Sequence, residues 1–168
     1  MANWIERFLA AIAFHKANAS AHHVKTALYT EGARVYHSAS QTIPDAVGTY
    51  LAFDSERYDT DNIHDPTTDN GRLTCKTAGK YAIMTCIAFS GNSTGYRYII
   101  IRLNRSTSIV ETEYGVVGNV TASLVAATIY DLIVGDYVEV QVYQNSGAPL
   151  DVRKLSQIST EFMMQRIG

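Results

Sequence analysis

The stretch Lys80-Tyr81-Ala82-Ile83-Met84-Thr85-Cys86-Ile87-Ala88-Phe89 decides the fold. Alternate residues of a strand point to opposite sides. One side here carries Tyr81, Ile83, Thr85, Ile87 and Phe89, and the other Ala82, Met84, Cys86 and Ala88. An antiparallel strand at a wet surface has one polar face, whereas this one is apolar on both. Ile99-Ile100-Ile101 repeats the feature. In 137–143, Val138, Val140 and Val142 form an inward set, opposite a mixed row of Tyr137, Glu139, Gln141 and Tyr143. Mixed aromatic and polar rows suit subunit contacts, and a monomer exposing several doubly apolar strands carries a large apolar patch. We therefore expect a homo-oligomer, with Tyr81, Tyr98, Tyr137 and Tyr143 as candidate interface residues.

Outward from this stretch the period of two continues. Strand-like runs fall at 34–38, 49–53, 72–76, 80–89, 96–103, 108–117, 121–130, 136–143, 150–155 and 158–167. Turn signals separate them: Ala78-Gly79, Gly91-Asn92, Asn104-Arg105, Gly118-Asn119, Val134-Gly135-Asp136 and Ser146-Gly147. About ten short strands with no helix among them predict an all-β sandwich or barrel. The 168 residues suit one domain with a core of its own. Eleven Tyr against one Trp, with many Thr, Val and Ile, is strand-favouring usage. A net charge of −2 leaves no electrostatic footprint for nucleic acid. No apolar run approaches the roughly 20 residues that span a bilayer, so we expect no membrane insertion. If Thr77-Ala78-Gly79-Lys80 is a hairpin turn, Cys75 pairs near Ala82 and not near Cys86, which predicts two buried free thiols.

The N-terminal part has a different period. Trp4, Ile5, Phe8, Leu9 and Ile12 recur at helical spacing, with Asn3 placed to cap and Glu6 to reach back. So short a helix is marginal alone in water, and its apolar face needs cover. That cover is either its own domain and symmetry mates or a larger assembly in which these five residues serve as an anchor. Residues 1–31 read as helix and connector, and 32–168 as the β domain. The apolar run 8–14 and the small residues at 17–21 give the start a faint secretory look, but the first seven residues carry no net positive charge.

Phe53-Asp54-Ser55-Glu56-Arg57-Tyr58-Asp59-Thr60-Asp61, followed by Cys75-Lys76-Thr77-Ala78-Gly79-Lys80-Tyr81, resembles the conserved stretch of the complement first-component (q subcomponent) globular heads. Those heads are related to the tumour necrosis factor fold. Val134-Gly135-Asp136-Tyr137-Val138 resembles that family's Gly-Asp turn into its penultimate long strand, and Glu161-Phe162-Met163-Met164 its closing strand. The resemblance implies a ten-stranded jelly-roll β-sandwich, here with a short N-terminal amphipathic α-helix, assembled as a compact homotrimer and not acting as an enzyme. The wording is similar to the variant in bacteriophage fibre and capsid-surface proteins. That implies a virion protein (a head-decoration, head-fibre or tail-fibre trimer) docked through its helix to a larger capsid or tail assembly. The alternative it implies is an extracellular or cell-surface module binding a glycan or protein.

Asp54, Asp59, Asp61, Asp65 and Asp69 crowd one segment. Hard oxygen donors in a loop suit calcium, with Asp59, Asp61 and Asp65 the candidate ligands. The spacing is not that of an EF-hand, and Asx-turns in a solvated loop account for the same residues. We expect no cofactor. His64 beside Asp65 offers a hydrolase dyad only if a nucleophile joins it, and no Gly-x-Ser-x-Gly elbow occurs. Asn18, Asn92, Asn104 and Asn119 each begin an Asn-x-Ser/Thr triplet, which we read as an accident of a Ser/Thr-rich chain. Residues 92–95, 115–119 and 144–149 are the candidate contact tips, because sandwich loops cluster at the ends.

Overall fold

The computed structural model describes residues 3–6, 8–9, 29–155 and 160–168. Among the described residues twelve strands follow one another: β1 (Gly32–Tyr36), β2 (Gln41–Ile43), β3 (Thr49–Tyr50), β4 (Ser55–Asp59), β5 (Arg72–Thr74) and β6 (Gly79–Phe89). Then come β7 (Tyr96–Leu103), β8 (Thr107–Gly115), β9 (Ala122–Leu132), β10 (Tyr137–Gln144), β11 (Leu150–Val152) and β12 (Glu161–Arg166). They form two antiparallel sheets. The seven-stranded sheet runs β4-β1-β12-β6-β9, with β11 and β2 joined at the far end of β6. The five-stranded sheet holds β3, β5, β10, β7 and β8.

The doubly apolar strand sits where its sequence demands. β6 pairs with β9 along its whole length and with β12 over Tyr81–Cys86. Its row Tyr81, Ile83, Thr85, Ile87 and Phe89 is buried. Across the sandwich it shares one core with Val138, Val140 and Val142 of β10 and Ile99 and Ile101 of β7. Each such aliphatic side chain contributes about 1.5–3 kcal/mol on burial. The polar atoms in this row are satisfied. The Thr85 hydroxyl donates to the Glu161 carbonyl at 2.8 Å, and the Tyr81 hydroxyl to the Thr77 carbonyl at 2.6 Å. Phe162 closes the core against Phe53, with ring centroids 5.7 Å apart.

Several expectations need correction. Two further strands exist, β2 and β4. Strand β4 lies inside the Asp-rich stretch expected to be a loop, and it forms because it is an edge. It pairs with β1 alone, so its charged Glu56 and Arg57 reach solvent, the usual guard on an exposed edge. Strand β2 is three residues long and pairs only with β11, too short to show a period. Thr77–Lys80 is not a hairpin turn. Strand β5 pairs with β10 in one sheet while β6 lies in the other, so the chain crosses the sandwich there. Both cysteines are free, Cys75 buried and Cys86 half-buried.

The outer faces are tied down by two buried carboxylates. Glu161 accepts from Arg34 and Arg57, and Glu139 accepts from Arg72 at 3.3 Å and from Arg105 at 2.8 and 3.0 Å. A buried carboxylate is tolerable when it is paired and hydrogen-bonded in this way.

Truncating Phe162 to Ala empties the centre of this core. The expected cost is about 3–5 kcal/mol, read as a lower midpoint in urea unfolding followed by circular dichroism.

Candidate functional site

Two surfaces carry side chains that the fold itself does not use. The first is the outer face of the seven-stranded sheet. Register aligns Val125 with Cys86 and Glu161, Ala127 with Met84 and Met163, and Ile129 with Ala82 and Gln165. Ile129 is 63% exposed, Val125 59% and Met84 38%. This is an apolar face at the rim of a sheet, bounded by the Glu161–arginine cluster. Burial, and secondarily the Glu161 charge, push the Cys86 thiol upward, so it stays protonated.

The second surface is the outer face of the five-stranded sheet, where Tyr143, Tyr98 and Glu113 lie in one row and Gln141, Ile100 and Glu111 in the next. Tyr96 completes an aromatic cluster. Its ring stacks on Tyr143 at 5.9 Å and meets Tyr98 edge-on at 5.2 Å, while Tyr98 meets Tyr143 edge-on at 6.1 Å. Together they line a depression of about 290 Å³ with Gly48, Ile100, Glu111 and Gln141. The Tyr98 hydroxyl donates to Glu113 Oε2 at 3.0 Å, which raises its pKa, and desolvation raises that of Tyr143. Both hydroxyls therefore remain donors at neutral pH.

The four tyrosines singled out from the sequence do not share a surface. Tyr81 is wholly inside its own core and cannot meet another subunit. Its period-two row faces inward, and Ala82, Met84 and Cys86 face out. Tyr98 and Tyr143 lie together in the depression. Tyr137 is on the same sheet, under the Arg72 guanidinium, which sits 4.4 Å from its ring centroid. Sequence reading missed Tyr96, Glu111, Val125 and Ile129. The alternation Val125, Ala127, Ile129 was a readable signal for the last two; Glu111 becomes visible only once β8 is registered on β7.

The Asp-rich segment spends its carboxylates locally. Asp59 accepts from the backbone N–H groups of Asp61, Ile63 and His64, and Asp61 from the Thr77 hydroxyl. Asp65 accepts from the N–H groups of Thr67 and Thr68 and from the Thr67 hydroxyl. Among the described residues no three His, Cys, Asp or Glu side chains converge as a metal site would need. His64 does not form a dyad with Asp65. Its ring is buried, with Nδ1 2.8 Å from Glu56 and Nε2 3.0 and 3.1 Å from the carbonyls of Phe53 and Asn70.

The expected contact tips gather at one end. Tyr96 N–H donates to Asn145 Oδ1, Val116 N–H donates to the Gly95 carbonyl, and Gly91 abuts Asn119. At the N-terminus, Asn3 and Glu6 exchange backbone-to-side-chain hydrogen bonds of 3.0 and 2.9 Å, so the expected capping box is formed. Trp4, Ile5, Phe8 and Leu9 are helical and exposed, while Ile12 lies outside the described residues.

No protein-family model matches the sequence, and no curated protein matches it. Solved structures do. Murine APRIL at pH 5.0 superposes with a TM-score of 0.63 at 11% identity, covering 81% of this chain and 98% of that one. The globular domain of zebrafish complement 1qA superposes with a TM-score of 0.55 at 14% identity, covering 81% and 94%. The fold is the jelly roll that these two structures share. At these identities the likeness speaks for the jelly roll alone, and the two surfaces described above are this chain's own.

Backbone hydrogen bonds from Thr68 and Thr67 hold the Asp65 carboxyl down to about 2. A depressed carboxyl stabilises the folded loop above its unfolded pKa, and that contribution is lost as pH falls through the folded value. Carboxyl carbon shifts should show Asp65 ionised through pH 4 and protonating only near pH 2.

Proposed function

We propose that the chain is a non-enzymatic recognition module that works as a homotrimer outside the cell. It closes on itself through the outer face of the seven-stranded sheet and displays the five-stranded sheet and the gathered loops to a protein or glycan partner. The observation that carries this reading is the row of bare apolar side chains, Val125, Ile129 and Met84, on a sheet whose other face is already full. Water contact along such a face is unfavourable by roughly 25 cal/mol per Å² of apolar surface, and a second copy removes it. The jelly-roll likeness supports the same arrangement, and the three-fold copy number comes from the family resemblance. No helix among the described residues is long and apolar enough to cross a membrane.

A narrower reading has its own support. The N-terminal turns are capped by Asn3 and Glu6, yet Trp4 is 74% and Phe8 58% exposed. A capped helix with a bare aromatic stripe suits a peg set into a larger particle, which is the virion-surface role. Deleting residues 2–18 should leave the trimer whole and abolish attachment to the particle. Unchanged attachment would remove the narrower reading and leave the trimer untouched.

Ile129→Arg together with Met84→Arg places two charges on the closing face. Light scattering coupled to gel filtration should move from trimer to monomer, with far-UV circular dichroism unchanged. A wild-type chain that is monomeric at tens of micromolar would overturn the assembly.

A further inference from the structure

Among the described residues one small arrangement recurs four times. A guanidinium sits over a tyrosine ring while a glutamate carboxylate pairs with its nitrogens. Arg57 sits 4.4 Å from the Tyr36 centroid and pairs with Glu161, and Arg72 sits 4.4 Å from Tyr137 and pairs with Glu139. Arg105 lies 4.8 Å from Tyr50 and shares Glu139, and Arg166 lies 4.9 Å from Tyr29 and pairs with Glu31. The negative face of the ring and the carboxylate act on the cation together, and the planar guanidinium satisfies both at once.

The tyrosine depression has the same parts without the cation. Tyr96 and Tyr143 present stacked rings, Tyr98 meets both edge-on, and Glu111 and Glu113 stand beside them. Among the described residues neither carboxylate pairs with an Arg, Lys or His, and no cation lies over any of the three rings. Arg102 Nε donates to Gln141 Oε1 at 2.6 Å, and Arg102 pairs with neither glutamate. Glu113 is held in place by the Tyr98 hydroxyl, which leaves Glu111 as the free acceptor at the rim.

We infer that this depression is a binding site for an arginine side chain of a polypeptide partner. The guanidinium lies against the tyrosine rings and pairs with Glu111. Its volume of about 290 Å³ has room for a side chain but not for a folded element. The choice of guanidinium over ammonium follows the chain's own usage. All four of its Tyr–Glu sets hold Arg, while Lys80 pairs with Asp131 away from any ring. The site deepens the recognition reading and rests on it, because it requires the five-stranded sheet to stay open when the other face is buried.

The test titrates the full chain with a short capped peptide carrying one Arg, following the methyl resonance of Ile100 at the depression floor. The expected result is a saturable shift that weakens with added salt and by at least tenfold in Glu111→Gln. Tyr98→Phe, which keeps the ring and releases Glu113, should weaken binding less. The same peptide with citrulline in place of Arg keeps the shape and loses the charge, and should not bind. Equal binding of the citrulline peptide, an unchanged affinity in Glu111→Gln, tighter binding of a trimethyl-lysine peptide, or no shift at millimolar peptide would each overturn the site. Light scattering on the same samples reports the assembly separately. A trimer that ignores the peptide sinks this inference alone, and a monomer that binds it sinks the assembly alone.

Discussion

The contact between β6 and the β10–β7 pair across the sandwich sets the terms for everything else in the molecule. Tyr81, Ile83, Ile87 and Phe89 meet Val138, Val140, Val142, Ile99 and Ile101 in one continuous core. With that side of β6 committed, its other side must face outward, and Ala82, Met84 and Cys86 go with it. Strands β9 and β12 are registered on β6 residue by residue, so they extend the same apolar outer surface through Val125, Ile129 and Met163. One strand's composition thus propagates into a whole face. A one-residue slip would bring the outward row into the core and turn Tyr81 and Ile83 to water.

Much of this was legible from the residues. The period of two in 80–89, 96–103 and 137–143 carried the sandwich, and Asn3 with Glu6 carried the cap. Sheet partnership was less legible, because local pattern does not say which strands meet. The Ala78-Gly79 signal looked like a hairpin, yet the chain there leaves one sheet for the other. Strand β4 was hidden by its own charges, which an edge tolerates and an interior strand does not. The four tyrosines read alike in the sequence but serve different ends. Tyr81 fills the core, Tyr137 supports Arg72, and Tyr98 and Tyr143 build the depression. Their separation follows from strand register and sheet membership, which only the assembled fold supplies.

The repeated Arg–Tyr–Glu sets give the surface an unusual economy. Charged residues are few in this chain, at 18% of the sequence, and several of them are fastened to rings and to buried carboxylates. That fastening gives up side-chain freedom for fixed geometry and holds the surface to one shape. It also leaves little loose positive charge to attract nucleic acid or anionic lipid, in keeping with the net charge of −2.

Arg97, at the start of β7, is wholly buried, and it grips main-chain oxygens. Its guanidinium donates to the carbonyls of Thr94 and Tyr96 at 3.1 and 3.0 Å and reaches that of Asn92 at 3.4 Å. A clasp of this kind does not see which side chains the loop carries. Positions 93 and 94 can therefore change their chemistry without changing the course of the tip, whereas the Asn92 side chain, which accepts from the Thr94 N–H, and Gly95, at φ +73°, are part of that course. Side-chain changes at those two positions leave the sandwich beneath as it is.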